Sequence, residues 1–567
     1  MSIRHAGFET VGTYLQKGIY FIPDYQREYS WLKDEQVEDF WLDLIGVVDE
    51  EIDAHFFGQI VIHDDKQQNK KYIIDGQQRT TTSVIFLSVL RDWFFKMYTE
   101  YKIASAQNKF EDIRVKLIGR WSEEENELRL TLGRVDKEYF MYNIQINSPS
   151  SKPNEKSHSR IYEAYHYLFG KIANTLEEYA DPKQKYECLL KYYRKFTEGF
   201  KLMCVETDEI NEAFIIFETL NARGKDLETS DLLKNHLFRS AGPLIESVKE
   251  SWLKTVENLD NIDMTKYLRH YWNSHNKFTR EKDLYKNVRN HIDSPKKAED
   301  FIRNLYRMSD VYKSLVNPSE EQYFNSAFIN TTIENLKILG ASTFYPIILA
   351  MVNNEFNEND ILEVLRVLEI FIFRNNVVAK KVANKYEVIF SQVALNITEK
   401  KLLNPKDIYH ELRYEMLNDD DFEALFKTFI VKDTNVAKYI LREINDYNEQ
   451  EIHVNRDNKK VHLEHIMPQK IGNWEVDEDT HKLFLNRLGN LTLLGQEYNT
   501  SLKNKPFNIK VETYKDSKIK LTRHLCSYKE WNTYLIEKRQ SDLFEIAKLR
   551  WALPKDFYST QSCIIDI

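Results

Sequence analysis

Toward the C-terminal end of the chain, His462-Leu-Glu-His-Ile-Met-Pro468 sets a carboxylate directly before a histidine at the close of a strand-like run. Gly489-Asn490-Leu-Thr-Leu-Leu494 and Glu497-Tyr-Asn499 follow. A neutral imidazole can deprotonate water, and a carboxylate with an amide oxygen can hold a hard cation such as Mg²⁺ while leaving positions to water and substrate. Together these are the requirements of phosphodiester hydrolysis. Geometry sets a condition. Consecutive strand residues face opposite ways, so Glu464 and His465 converge only if the strand ends there, and Pro468 just beyond fits such a break. Between 501 and 524, seven basic residues (Lys503, Lys505, Lys510, Lys515, Lys518, Lys520 and Arg523) stand against two acidic ones. Beside a phosphodiesterase site such a stretch can position phosphates; elsewhere it is an ordinary solvated surface.

A second constellation lies near the N-terminus. Ile73-Ile-Asp-Gly-Gln-Gln-Arg-Thr80 runs from a strand into a helix. Gly76 permits a tight turn, and the new helix offers N–H groups and a positive dipole end to a phosphate. Arg79 adds a forked donor, Thr80 is a candidate cap, and Gln77 or Gln78 could orient a water. Upstream, Ile22-Pro-Asp-Tyr-Gln-Arg-Glu-Tyr-Ser-Trp31 mixes polar and aromatic residues. Such a segment can stack a base or grip a phosphate, and can equally well pack a domain. The chain has no GxxxxGK[ST] sequence, which excludes a P-loop.

The elements that must carry these residues follow from periodicity. His55–His63, Lys71–Asp75 and Lys201–Asp208 read as strands, the second leading into a helix marked by Leu87, Leu90, Phe94 and Met97 and the third into a helix over Glu209–Leu220. Ser148–His158 reads as a loop. From about 240 to 440 the pattern is helical, and Ile361–Arg374 is apolar nearly all round, hence a buried helix. Glu451–Asn455 and Lys460–His465 flank a turn-like Arg-Asp-Asn and predict a hairpin. A helical stretch near 477–487, a strand over Asn490–Leu494 and a last helix around 528–551 complete the chain. The expected fold is α+β and predominantly helical, with three domains: 1–240, a helical linking segment 241–445, and 446–567.

At 567 residues the chain is too long for one core. Its 79 basic and 88 acidic residues leave a net charge of −9, so any DNA must be gripped by local basic surfaces and not by bulk charge. Cys188, Cys204, Cys526 and Cys563 form no CxxC pair, which excludes a cysteine-framed zinc finger and fits a reducing cytoplasm. With neither a signal-peptide core nor a membrane-length apolar run, the expectation is a soluble cytoplasmic protein with no membrane partner.

The C-terminal segments resemble the HNH (ββα-metal, or His-Me finger) nucleases, in particular the nuclease domain of the GmrSD family of type IV restriction enzymes. The matching pieces are Glu464-His-Ile-Met-Pro, Gly489-Asn-Leu-Thr-Leu-Leu, Asn499 with Lys503, Lys505-Pro-Phe followed by Lys510, and the later Arg539 and Trp551. The resemblance implies His465 as general base, Glu464 and Asn499 as metal ligands for Mg²⁺ or Mn²⁺, and Asn490 positioning the site. Lys503, Lys505 and Lys510 are then expected on DNA. Many such sites have Asp where this chain has Glu464.

The N-terminal segments resemble the ParB-like domain of the same family. They comprise Pro23-x-Tyr-Gln-Arg-x-Tyr-x-Trp31, Phe57-Gly-Gln-Ile60, Asp75-Gly-Gln-Gln-Arg79, Ala213-Phe-Ile-Ile-Phe-Glu-Thr-Leu-Asn-Ala-Arg-Gly224 and Asp231-Leu-Leu-Lys-Asn235. This implies binding and hydrolysis of a nucleoside triphosphate of unspecified base at Asp75, Gly76, Gln77, Gln78, Arg79 and Thr80, with Tyr25, Gln26 and Arg27 toward DNA. Asn221 and Arg223 either line that pocket or form a helix end and turn. The implied activity is nucleotide-regulated cleavage of double-stranded, modified phage DNA, by a chain that could act as a homo-oligomer. A nucleotide-switched DNA-binding protein with a structural or weakly active HNH fold is the alternative, and an RNA-directed nuclease a third reading.

Overall fold

The computed structural model describes residues 3–121, 126–148, 151–221, 229–321, 323–447, 453–457, 460–471, 474, 476–496, 498, 502 and 504–554. The chain is α+β and predominantly helical, and it divides into two compact units. Met1–Glu257 with Tyr285–Arg303 form the first, and Asn258–Leu284 with Asn304–Ile567 the second. Among the described residues no helix is long and apolar enough to cross a membrane.

The first unit is built on a mixed sheet. Its strands are β1 (Ile3–Thr10), β2 (Tyr20–Phe21), β3 (His55–Asp65), β4 (Lys70–Asp75), β7 (Leu130–Thr131) and β8 (Phe200–Thr207), in the order β1-β8-β3-β4-β2-β7. A separate two-stranded piece joins β5 (Gly119–Trp121) to β6 (Asn126–Leu128). The three expected strands are β3, β4 and β8; β3 runs parallel to β8 and antiparallel to β4. β1 was not foreseen. It is a sheet edge paired antiparallel to β8, and with His5, Glu9 and an exposed Phe8 among its residues it lacks clean apolar alternation.

The helix that leaves β4, Gln77–Thr99, is the spine of this unit. Val84, Ile85, Phe86, Leu87, Val89 and Leu90 are all fully buried, because the helices Ala104–Asp112, Lys156–Glu177 and Pro182–Gly199 and the π-helical turn Ile113–Ile118 pack around it. The Ser148–His158 loop ends earlier than its composition suggests. Lys156–His158 already belong to the Lys156–Glu177 helix, where Ser157 donates to Asp136 at 2.5 Å and the His158 ring meets the Val135 carbonyl at 3.0 Å.

The second unit is helical around one small sheet. The apolar segment at 361–374 lies within the helix Glu358–Ile372 and a following π-helical turn, Phe373–Val378. Two charged side chains are nonetheless locked inside. Glu369 accepts from Asn335, Tyr439 and Arg550 at 2.9, 2.7 and 3.0 Å. Arg374 donates to the Trp551 and Leu417 carbonyls at 2.8 and 2.9 Å. Each also faces an opposite charge, Glu369 the Arg550 guanidinium and Arg374 the Asp419 carboxylate at 2.8 Å, the condition for tolerating an ion in a core.

The sheet of this unit pairs β9 (Val461–His465) antiparallel with β10 (Leu491–Gly495), setting His465 opposite Leu491 and Glu464 opposite Thr492. The expected hairpin between 451–455 and 460–465 is not formed among the described residues. Residues 453–457 are not a strand, and the Val454 amide bonds the Asp446 carboxylate at 3.1 Å. β9 instead takes the more apolar partner, whose first four residues are all buried. The expected helices appear as Glu478–Phe484 and Thr533–Arg550.

Candidate functional site

In the second unit the β9 strand persists to His465, so Glu464 and His465 point to opposite faces. Glu464 turns inward. It is 6% exposed, and its Oε1 accepts from Lys510 Nζ at 2.6 Å and Tyr514 OH at 3.0 Å. The helix Phe507–Lys515 explains the pairing, since Phe507, Lys510 and Tyr514 occupy its inward stripe at helical spacing. Burial pushes the Glu464 carboxyl up, and Lys510 and Tyr514 oppose that rise. Burial likewise pulls the Lys510 ammonium down, against the attraction of Glu464. Lys510 also donates to the His465 carbonyl at 2.7 Å, which anchors the strand end. The expectation that Lys510 contacts DNA is therefore corrected: its side chain is fully buried in an ion pair. Lys505 is exposed, and Lys503 lies outside the described residues.

His465 faces the other way and is half-buried, with its Nε2 3.3 Å from Asn486 Oδ1. Burial lowers its pKa; the Asn486 bond opposes this, and Lys510 and His481 add to it. An amide oxygen can only accept, so the Asn486 contact places the imidazole proton on Nε2 and leaves the Nδ1 lone pair as the basic site. Asn486 had no signal in the sequence. It sits in the turn between the Glu478–Phe484 helix and β10, where its backbone carbonyl also accepts from Val431 at 3.0 Å.

Asn490 is wholly buried and saturated. It accepts from the Met467 amide at 2.8 Å and Trp531 Nε1 at 3.1 Å, and donates to the Met467 and Leu485 carbonyls at 3.0 Å each. It clips the segment after β9 to the turn before β10, a positioning task with no atom left for substrate. Asn499 lies outside the described residues. Among the described residues no three His, Cys, Asp or Glu side chains gather as a metal site, and Glu464 already faces an ammonium. The described donors thus do not by themselves fit a divalent cation.

In the first unit, Gly76 turns β4 into the Gln77–Thr99 helix with φ +91°, and a Cβ there would lie 2.2 Å from Ile60 Cδ1. Asp75 accepts from the Gly76 amide at 2.8 Å and from Gln59 Nε2 at 3.0 Å. Arg79 donates to the Gln59 carbonyl at 3.1 Å. It lies against Gly58, itself at φ +115° in a bulge of β3, where a Cβ would come within 2.7 Å of Arg79 Nε. Glycine at 58 therefore makes room for the arginine.

The two glutamines bind the 22–31 segment. Gln78 donates to the Glu28 carbonyl at 3.0 Å and accepts from the Ser30 amide at 2.9 Å. Gln77 donates to the Arg27 carbonyl at 3.3 Å, while its buried Oε1 has no hydrogen-bond partner. Thr80 is buried, donates to the Gly76 carbonyl at 3.1 Å and meets Tyr14 OH at 3.3 Å, so it faces the core.

Gln26 is buried as well, donating to the Ile74 carbonyl at 3.1 Å and accepting from Lys234 Nζ at 2.9 Å. Lys234 also reaches Asp231 at 3.0 Å, and Arg27 stands 3.6 Å from the same carboxylate, which lies below its ordinary pKa because Lys234 and Arg27 outweigh burial. Tyr25 packs edge-on to Phe238 with Lys249 over its ring. Asn235, one helical turn after Asp231, is 1% exposed with neither amide atom partnered. The Asn221 side chain and Arg223 lie outside the described residues.

Arg79, Arg27 and Lys234 thus stand in this region with two kinds of unpartnered buried atom, the Gln77 Oε1 acceptor and both amide atoms of Asn235, a mixture suited to a polar ligand that carries both anionic and donor groups. Gln59, Asp231 and Lys234 join the site from stretches whose sequence gave them no assigned role.

Comparison with protein families gives two matches and a consistent assignment. Residues 11–238 match the GmrSD restriction endonuclease N-terminal domain, and residues 416–546 match the GmrSD restriction endonuclease C-terminal domain. No curated protein matches the chain. The first match contains the whole Asp75–Thr80 turn and the second the whole β9–β10 sheet, so the chain belongs to the GmrSD family of type IV restriction endonucleases.

Proposed function

We propose that the protein is an anti-phage endonuclease that hydrolyses DNA phosphodiesters at an HNH-type site centred on His465. Nucleoside triphosphate binding and hydrolysis at the Asp75–Arg79 corner regulate it, and modified DNA is its target. The observation that carries this reading is the state of His465. Its imidazole is half-buried, biased to the neutral form, and oriented through Nε2 by Asn486, as a general base requires.

In this reading His465 Nδ1 takes a proton from the attacking water, and Lys510 keeps the strand end in place through the His465 carbonyl. Arg79, Arg27 and Gln77 receive the triphosphate, with Lys234 supporting Gln26 behind them. Residues 1–240 sense, 241–445 connect and 446–567 cut. A divalent-metal requirement belongs to the proposal and is checked by chelation followed by Mg²⁺ or Mn²⁺ addition. The alternative of a nucleotide-switched DNA-binding protein with a weakly active HNH fold draws support from the Glu464–Lys510 pair, which keeps the expected ligand occupied.

The deciding experiment is cleavage of plain, glucosylated hydroxymethylcytosine and phosphorothioate DNA with each triphosphate, comparing wild type with His465→Ala and Arg79→Ala. The proposal expects cleavage of a modified substrate, its loss in His465→Ala and loss of nucleotide control in Arg79→Ala. Full cleavage by His465→Ala refutes the nuclease centre. Unaltered triphosphate hydrolysis by Arg79→Ala refutes the nucleotide corner, and cleavage of plain DNA alone refutes modified-DNA targeting.

A further inference from the structure

A cavity of about 390 Å³ opens between the helices Ala327–Ile338 and Thr434–Asp446 of the second unit, lined by none of the residues assigned a role above. Lys337, Lys438, Arg442 and Arg456 line it, against two carboxylates, Glu334 and Asp433. Both carboxylates are engaged. Asp433 caps its helix by accepting from the Asn435 and Val436 amides at 2.8 and 3.0 Å, and Glu334 faces Arg456 at 3.8 Å.

Arg442 distinguishes the cavity from a solvated basic patch. It is 6% exposed, and its Nε and Nη2 are buried with no hydrogen-bond partner. Those two nitrogens form one edge of the guanidinium, the edge that makes paired bonds to two oxygens of a phosphate or carboxylate. A buried charged fork without a partner is costly in a folded protein. Burial and Arg456 act to lower the Arg442 pKa, with Glu443 and Asp446 opposing them, and burial and Arg442 lower that of Lys438. Glu443, 3.5 Å from Arg456, and Asp446 partly offset these cations, yet the Arg442 edge itself has no hydrogen-bonding partner, and its side-on fork matches two oxygens of a phosphate.

We propose that this cavity is a binding site for the terminal phosphate of a small phosphorylated molecule, seated on the Nε–Nη2 edge of Arg442 with Lys438 and Arg456 beside it. The burial of Arg442 favours a terminal phosphate over an internal phosphodiester, which must continue in both directions past the arginine. The volume lies in the range of small-molecule pockets. Val461 of β9 and Leu493 of β10 flank the same arginine on its other side, so the ligand sits behind the strand that carries His465.

The test is calorimetric titration and thermal unfolding of the full chain with inorganic phosphate, pyrophosphate and each nucleoside triphosphate. The Arg79→Ala background removes binding at the N-terminal corner. Pyrophosphate or a triphosphate is expected to bind and raise the unfolding temperature in that background. Arg442→Met should weaken binding about tenfold or more, as loss of charge-assisted bonds implies, and should unfold no earlier than its parent without ligand. Lys438→Gln, in a less buried position, should weaken binding more modestly and serves if Arg442→Met does not fold. Free phosphate and nucleotide are told apart by which binds tighter. Absence of binding by every small phosphate, or binding unchanged in both variants, overturns the proposal. So does binding of DNA alone, which would make the cavity wall a backbone-tracking surface.

Discussion

The turn after β4 and the end of β9 use the same kinds of residue in opposite ways. At the first, polar side chains of the motif reach mainly toward backbone. Gln78 binds the carbonyl of Glu28 and the amide of Ser30, Gln26 the carbonyl of Ile74, and Arg79 the carbonyl of Gln59. At the second, the charged residues neutralise each other in the core, Glu464 against Lys510, and one histidine is left facing outward with a single neutral partner. A motif is therefore a mixture. Some members hold the local shape and others are left open to a ligand, and hydrogen bonding separates them: both amide atoms of Asn490 and of Gln78 are partnered, whereas Gln77 and Asn235 retain unpartnered atoms and His465 retains a basic nitrogen.

This contrast can be broken or sharpened by substitution. The largest effect is expected from His465→Ala, a loss of about 10²–10⁴-fold in initial cleavage rate on a modified plasmid, with triphosphate hydrolysis retained. Wild-type cleavage would remove the distinction between the outward histidine and the inward glutamate.

Next in size, Lys510→Met strands the Glu464 carboxylate and should cost about 3–5 kcal/mol in urea unfolding. Combining it with Glu464→Leu should restore most of that loss. No loss in the single variant would mean that Tyr514 alone suffices to hold the buried Glu464 carboxyl.

Gly76→Ala forces a side chain onto φ +91° and into Ile60, and should cost about 1–3 kcal/mol. Thermal unfolding checks the stability, and triphosphate hydrolysis should fall while cleavage chemistry at His465 remains.

The smallest change is in pH dependence. If His465 is the general base, as proposed, the neutral ring it needs is lost as pH falls, so cleavage should rise with pH through a midpoint below the ordinary 6.5 and level off near neutrality. Asn486→Ala removes the bond that favours the protonated ring and should move the midpoint lower still, which a pH–rate profile reads directly.

Much of this was legible in the sequence. Alternation and helical spacing located β3, β4, β8 and the Gln77–Thr99 helix because each has a consistent apolar face or is buried throughout. The two motifs pointed to both candidate regions. What failed had physical reasons. β1 is an edge strand with little to bury, and the local turn signal at 456–458 lost to the apolar β10 as partner for β9. Lys510 looked like one of seven cations in a basic stretch, and only its helical phase with Phe507 and Tyr514 sends it inward. Asn486 acts through a tertiary contact that no local pattern announces, and Lys234 lies within the Asp231–Asn235 motif, but its partner Gln26 is 208 residues away and shows only in the fold.

The helix Thr533–Arg550 has a consequence for when the nuclease centre can exist. Arg539 donates to the Gly489 and Leu491 carbonyls at 2.7 Å each, and Gln540 accepts from the Gly489 amide at 3.1 Å while donating to the Phe426 and Phe429 carbonyls. The start of β10, and with it the pairing of His465 in β9, is therefore braced by residues translated some fifty positions later. A ribosome that has finished the histidine has not yet made this brace, so the proposed His465 centre waits for the Thr533–Arg550 helix to emerge. Chains arrested before Thr533 should accordingly be inert toward DNA while their first unit already folds, a built-in delay for an enzyme made in the presence of its own chromosome.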